Sequence, residues 1–431
     1  MILRLSDSLA RLLVVALAIL LSAWLSLFAV RSAVARYGAE SDTDKGLQLA
    51  VRLEPGNPDY WYLLGRYQQY NLEHQDSGSA EVSYKKAIAL NPLHTDAWLE
   101  LATAYELDGN FEEARNAYFH AEKSYPISAD VSWRYGNFLL RQGDRIHAYT
   151  EMRRAIEADP HRAAVAFSRA YRSNPNVDEI LQQLLPAKQN VYVDVINEAL
   201  AAKQLAVAET VWGELVGLHP RLEIRDIDRL VDALLQAHDY AAASRVWEQG
   251  VATLNLPPLL QSPGSVLWDP SFESGIIANF FSWQFKPLVQ GVSIDLDRSE
   301  RLTGIQSLRL SFDGRHNPDL DAACIRGIVH AKTTYHFAGW LKTNKITTEN
   351  GIEFRVFSPD DPKIPALKTA EFHGTLPWTL VEGVWSTGSD THQVQVCVTR
   401  EASDNPEVRI SGMAWADEIT LIPQPAGRYK P

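Results

Sequence analysis

Hydrophobic and polar residues follow three different rhythms along this chain. From Leu12 to Val30 the run LLVVALAILLSAWLSLFAV carries no charge. Its roughly 19 residues are about what a helix needs to cross a bilayer, and a continuous helix satisfies its own backbone hydrogen bonds in lipid. From about 42 to 258 apolar residues recur three and four apart, which predicts stacked amphipathic helices. The Pro-rich stretch LNLPPLLQSPG (Leu254–Gly264) then reads as a linker. After it come short alternating runs, SLRLSF (Ser307–Phe312), TYHFAGWLKT (Thr334–Thr343), IEFRVF (Ile352–Phe357) and VQVCVT (Val394–Thr399). Alternation of this kind predicts strands with one face in a core, and their number predicts a sandwich closed as a jelly roll. The predicted architecture is a membrane helix within 1–36, an all-α array over 42–258 and an all-β sandwich over 264–423.

The charges flanking the apolar run are nearly balanced, with Arg4 and Arg11 before it and Arg31 and Arg36 after it. Acidic Glu40, Asp42 and Asp44 follow but weigh little in the positive-inside comparison. A short N-terminal anchor with a long trailing domain predicts the N-terminus inside and the bulk outside. A cleaved signal peptide is the competing reading, because Ala33-Val34-Ala35 has the small-residue pattern of a cleavage site. The apolar stretch is longer than the usual signal core of about 7–15 residues, which favours the anchor. Either way the folded part is expected to leave the cytoplasm.

Within the helical region a motif repeats about every 34 residues. Its clearest copy is DAWLELATAYELDGNFEEARNAYFHAEKSYP, with Trp98, Leu101, Ala102, Tyr105, Ala114, Tyr118, Ala121 and Pro126 as anchors. Small residues let two antiparallel helices approach, aromatics fill the gaps between pairs, Gly109-Asn110 makes the turn and Pro126 stops the second helix. Gly136, Gly143-Asp144, Ala148, Met152, Ala155 and Pro160 repeat the pattern downstream. Upstream, Trp61, Leu64, Gly65, Ala80, Tyr84, Ala87 and Pro92 repeat it with an insertion at His74–Ser79, preceded by a half-unit from Ala50 to Pro55. The pattern is clear over 44–160 and degenerate over 161–258, where Ala208 and Trp212, then Ala243 and Trp247 with the turn Asp239-Tyr240, keep its spacing. These residues resemble the tetratricopeptide repeat family.

That resemblance implies a groove, lined by the first helix of each unit, that binds a peptide or partner protein. The groove positions are Tyr62, Arg66 and Gln69, then Leu99, Thr103 and Glu106, then Trp133, Asn137 and Leu140. This mixture of aromatic and apolar residues with few charges does not resemble a basic clamp for C-terminal carboxylates. A spacer that buries its groove against other parts of the protein is the alternative. His94, His120, His147 and His161 sit at unrelated phases with no nucleophile nearby, so they read as solvated or packed.

In the β region, WDPSFESG, Trp283, GIQSLRL, YHFAGWLKT and WADEITL follow the order seen in bacterial jelly-roll carbohydrate-binding modules. The resemblance covers roughly residues 264–423, and a sandwich hosts many functions. Alternation places Tyr335, Phe337, Leu341, Phe354, Val356, Val394, Val396 and Val398 inside. It leaves Trp340, His336, Arg355, Gln393 and Gln395 as a candidate saccharide face, with an aromatic ring for stacking and planar groups for hydroxyls. The resembling modules also carry a structural calcium. The match puts Glu273 and Asp417 at that site, with Asp295 and Asp269 as further oxygen ligands, although calcium needs about six to eight oxygens.

Composition trims the remaining options. A net charge of -12 disfavours nucleic acid as a partner. The two cysteines, Cys324 and Cys397, are too few for a zinc site, and they read either as one disulfide in an oxidising compartment or as two buried thiols. No Gly-x-Ser-x-Gly, metal-ligand or phosphate-loop motif occurs, and Asp319, Asp321, Asp360 and Asp361 lie in loop-like stretches. The sequence therefore predicts a non-catalytic scaffold in the bacterial inner membrane, single-pass, with its bulk on the periplasmic side. It would bind a protein through the array and a polysaccharide through the sandwich, in envelope or exopolysaccharide assembly, with no cofactor beyond the calcium. A subunit making protein contacts alone is the alternative, and a polysaccharide hydrolase ranks below both.

Overall fold

Helix formation at the N-terminus does not stop where the apolar run stops. In the computed structural model, which describes residues 8–71, 76–254, 262–274, 279–286, 289–405 and 408–424, α1 runs unbroken over Ser8–Glu40. Arg4, His74 and Gln75 of the expected insertion, and most of the Pro-rich linker lie outside the described residues. The stretch Arg11–Glu40 is long and apolar enough to cross a membrane, and none of its most apolar window is buried. The last turns of α1 do pack. Ala35 and Ala39 are buried, and the backbones of Gly38 and Gly46 approach so closely that a Cβ on either would strike the other. The half-unit seen in the sequence is thereby completed: α1 supplies the first helix, and α2 (Asp44–Leu53) the second.

The chain folds as two compact units, Met1–Glu198 and Ala199–Pro431. In the first, paired helices follow α2: α3 (Pro58–Tyr70) with α4 (Ser77–Leu90), α5 (Thr95–Leu107) with α6 (Phe111–Ser124), and α7 (Ala129–Arg141) with α8 (Arg145–Ala158). Then come α9 (Ala163–Ser173), the short α10 (Val177–Glu179) leading into a π-turn at Ile180–Leu184, and α11 (Gln189–Ala201). Caps fix the starts: Asn57, Asp76, Ser128 and Asp144 each accept a backbone N–H of the following turn. Gly109 and Gly143 take positive φ between paired helices, where a side chain would be strained. Trp61 and Trp98 donate their indole N–H to the carbonyls of Pro55 and Pro92, both at 2.9 Å, so one tie recurs in two units. Alanines and aromatics from α4 to α8 fill a shared core.

In the second unit, α12 (Leu205–Gly217), α13 (Ile224–Gln236) and α14 (Tyr240–Thr253) continue the helical pattern. The turns before α12 and α14 use Lys203 and His238 at positive φ where the clearer repeats use glycine. Two antiparallel five-stranded sheets follow. Their strands are β1 (Gln284–Phe285), β2 (Val292–Asp297), β3 (Ser307–Asp313), β4 (Leu320–Ile328), β5 (Thr334–Ile346), β6 (Glu353–Phe357), β7 (Leu367–Lys368), β8 (Gly374–Ser386), β9 (Gln393–Arg400) and β10 (Ser411–Pro423). The orders are β1-β4-β9-β6-β7 and β2-β3-β10-β5-β8. The inward residues named from alternation are all buried in one core shared by both sheets, as a sandwich requires. Cys324 and Cys397 stand opposite each other on β4 and β9 and form a disulfide, which resolves the two readings of the cysteines.

The sandwich is not separate from the last helix. Trp247 on α14 stacks on Phe281 at 4.9 Å and meets Trp268 edge-on at 5.3 Å. Tyr240 stacks on His392 at 5.1 Å and receives a hydrogen bond from Gln393 at 3.3 Å. The boundary between compact units thus falls inside the helical run, whereas composition places the break at the Pro-rich stretch.

Candidate functional site

Helix α7 presents Trp133, Arg134, Asn137, Leu140 and Arg141 at three- and four-residue spacing, hence along one face. Together with Thr103 and Glu106 of α5, Tyr118 of α6 and Arg169 of α9, four of these α7 side chains, Trp133, Arg134, Asn137 and Arg141, line a cavity of about 260 Å³. Four groove positions expected from the repeat, Thr103, Glu106, Trp133 and Asn137, are among its walls. Tyr118, Arg134, Arg141 and Arg169 are walls that the repeat pattern alone does not single out.

The remaining groove positions separate. Gln69 and Leu99 are each only 2 % exposed, so neither can meet a partner. Gln69 instead accepts a 2.7 Å hydrogen bond from the Tyr84 hydroxyl, and Leu99 joins the inter-repeat core. Tyr62 lies 5.8 Å beneath the guanidinium of Arg66 and 4.9 Å from the ring of His94. Leu140 is partly buried against that same inter-repeat core.

Charge corrects the sequence expectation of a groove with few ionic groups. Arg134 donates to Glu100 at 2.9 Å and to the Thr103 hydroxyl at 2.8 Å. Tyr70 completes the Glu100 carboxylate from the preceding repeat. Arg141 grips Glu106 through two N–H groups at 2.7 and 2.8 Å, a bidentate geometry that Lys could not reproduce. Each arginine therefore reaches an acid one repeat back. Arg169 differs: it donates to the amide oxygen of Asn137 and lies 5.0 Å over the Trp133 ring. Burial, and then the like charges of Arg141 and Arg172, push its guanidinium below its usual value.

The candidate saccharide face is divided by the topology. Trp340 and His336 lie on β5, in one sheet, while Arg355 on β6 and Gln393 and Gln395 on β9 lie in the other. Alternation assigns each residue correctly to an outward position but cannot say which sheet a strand joins. The two outer faces look away from each other across the core, so the five residues form no single surface. Arg355 is occupied by Asp321 at 2.7 Å, Gln395 receives a hydrogen bond from Arg326 at 3.3 Å, and Gln393 is held by Tyr240. On the other sheet His336 meets Glu382 at 3.1 Å, and Trp340 stands opposite Leu380 of β8. Trp378 of β8 is partly exposed and donates at 3.3 Å to Glu300, the acid that also pairs with Lys342 of β5. Sequence alternation could have found it only with β8 paired to β5.

The four expected calcium ligands do not fit that ion. Among the described residues no three of their carboxylates converge; the one converging group of ligand types is Asp321 with the disulfide-bonded Cys324 and Cys397. Asp295 lies on β2 beside Arg309. The other three serve as loop anchors, accepting hydrogen bonds where a cation would need free lone pairs. Asp417, fully buried, accepts the backbone N–H groups of Leu302 at 2.8 Å, Thr303 at 3.1 Å and Glu418 at 2.8 Å. Glu273 accepts from Ile305 at 2.8 Å, and Gly304 at positive φ leaves room for that carboxylate. Asp269 accepts from the N–H groups of Glu273 and Ser274 at 2.6 and 2.9 Å. Burial raises Asp417 to about 6, with its backbone hydrogen bonds opposing the shift.

No curated protein sequence matches the chain. Among solved structures, PilF of Pseudomonas aeruginosa is 20% identical, with 46% of this chain and 78% of that one covered and a TM-score of 0.24. A tetratricopeptide repeat protein from Parabacteroides merdae is 17% identical, covering 50% and 86%, with a TM-score of 0.28. The xylan-binding domain CBM22-1 of Paenibacillus barcinonensis Xyn10C is 18% identical, covering 36% and 93%, with a TM-score of 0.26. Residues 69–126, which span α4, α5 and α6, match the family model of the tetratricopeptide repeat.

Proposed function

We propose that this chain is a non-catalytic scaffold tethered in a bacterial inner membrane by α1, with its bulk in the periplasm, and that the α5–α9 cavity holds a segment of a protein partner. The observation that carries the reading is the cavity itself: Trp133, Tyr118 and Arg169 meet there on a repeat scaffold. Proteins built of such repeats generally serve protein–protein assembly. The disulfide supports an oxidising compartment for the sandwich. The burial of Ala35 supports an uncleaved anchor, since cleavage after it would remove that packed residue and the turns before it, leaving only Arg36–Glu40 of the helix that pairs with α2.

The test is site-specific photo-crosslinking in cells, with the reactive residue at Trp133 and, as a control, at Ile127, which is 77 % exposed between α6 and α7. One protein adduct formed from 133 and absent from 127 is the expected result. Identical adducts from both positions would remove the groove from the account. An alkaline phosphatase fusion at the C-terminus should be active, and an inactive fusion would reverse the topology.

A second reading concerns the sandwich. The β5–β8 outer face carries partly exposed Trp340 and Trp378 with the His336–Glu382 pair, a chemistry suited to stacking on a pyranose ring and bonding its hydroxyls. Polysaccharide binding there would place the chain in envelope or exopolysaccharide assembly. A glycan array probed with the full chain and with Trp340→Ala decides it: no binding, or equal binding, leaves the sandwich to protein contacts alone.

A further inference from the structure

The groove reading leaves the chemistry of the bound segment open, and the side chains lining the cavity narrow it. The walls bear three guanidinium groups, Arg134, Arg141 and Arg169, against one carboxylate, Glu106. Arg134 and Arg141 are matched internally by Glu100 and Glu106. Arg169 meets no carboxylate among the described residues, and its hydrogen bond goes to a neutral amide oxygen on Asn137. Its neighbour across Trp133, Arg162, stacks on the same ring at 5.4 Å but already has Asp159 at 3.0 Å. A partly buried cation without a counter-charge favours an anion from outside, because low local dielectric strengthens that pairing. The partly exposed ring of Trp133 adds apolar surface beside it. At about 260 Å³ the cavity suits a side chain or a chain end rather than a folded surface.

We propose that the cavity takes an acidic, aromatic- or aliphatic-flanked peptide segment, whose carboxylate pairs with Arg169 while the neighbouring apolar side chain rests on Trp133. This rests on the groove reading and adds the carboxylate. Arg169 would use the two-pronged geometry that Arg141 already shows with Glu106.

The experiment uses the full chain in detergent and three labelled peptides, all Phe-Glu-Phe in a Gly-Ser frame: free C-terminus, amidated C-terminus, and amidated with Gln in place of Glu. Fluorescence anisotropy should show the first two binding wild type, with affinity falling as salt rises, and the Gln peptide at least about tenfold weaker. Binding of the free form alone would still support the carboxylate but assign it to the chain end. Arg169→Gln should lose at least about tenfold for the acidic peptides, and Arg169→Lys should restore part of it. A circular dichroism melt of Arg169→Gln like that of wild type keeps misfolding out of the comparison. Equal binding of the Glu and Gln peptides, an unaffected Arg169→Gln, or no binding of any peptide would each overturn the carboxylate. The groove reading stands or falls separately on the crosslink from position 133.

Discussion

Single residues hold the repeat together by being small, and the structure shows how little room there is. A Cβ on Gly136 would sit 2.8 Å from the Met152 side chain and 3.0 Å from its backbone nitrogen. Gly136→Val should therefore force α7 away from α8 and cost about 1–3 kcal/mol, read as a lower denaturant midpoint. The cavity lies on α7, so the same variant should also weaken any ligand held there. Asp417 shows the opposite kind of residue, a charge kept inside. Its folded value near 6 exceeds the ordinary 3.8, so the folded state holds its proton more tightly than the unfolded state between those values. Stability of the sandwich should then fall as pH rises from about 4 to about 6, and Asp417→Asn should lack that part of the slope. Thermal midpoints across that range check it. Asp297 works the other way: burial pushes it up, but hydrogen bonds from Ser299 and Trp415 and the charge of Arg309 outweigh that and hold it below the usual range. Its contribution is present at neutral pH and fades as pH falls through the acid range.

At the scale of elements, the unexpected pairings involve α1 and α14. A helix identified only by its lack of charge also opens the repeat array, because Gly38, Ala35 and Ala39 give its last turns a packing face. At the other end of the helical run α14 packs on the sandwich as well as on α13. Trp247 is buried, with Trp268 and Phe281 around it. Trp247→Ala should cost about 3–5 kcal/mol, as loss of a buried indole usually does. The diagnostic outcome is which signals move. If the helix and strand signals of the second unit melt together at a lower temperature, the two share one cooperative unit; an unshifted strand transition would refute the coupling. The π-turn at Ile180–Leu184 lies within the stretch where the repeat pattern is already degenerate.

At the scale of the whole molecule, the disulfide and the apolar helix bear on location together. The disulfide closes a loop with a sequence separation of 73. Replacing both cysteines by serine should lower the stability of the second unit by about 2–4 kcal/mol. A reducing agent should do the same to the native chain and nothing further to the double variant, as followed by strand-signal melting.

Sequence alone determined what is local and periodic. The apolar N-terminal helix, the phase of the repeats from Trp61 to Pro160, and the inward residues of β5, β6 and β9 follow from spacing. Spacing is set by helix and strand geometry, whatever the partner element is. It also named Thr103, Glu106, Trp133 and Asn137 as groove residues, because first-helix positions recur with the repeat. It could not single out Arg169, which meets an amide where Arg134 and Arg141 meet acids. Nor could it place Trp340 apart from Arg355 and Gln395, since alternation gives each strand two faces but no sheet. Strand order, the charge balance of the cavity and the seating of α14 on the sandwich depend on contacts between segments far apart in sequence. Those contacts are fixed only when the chain packs, and the tertiary structure decided them.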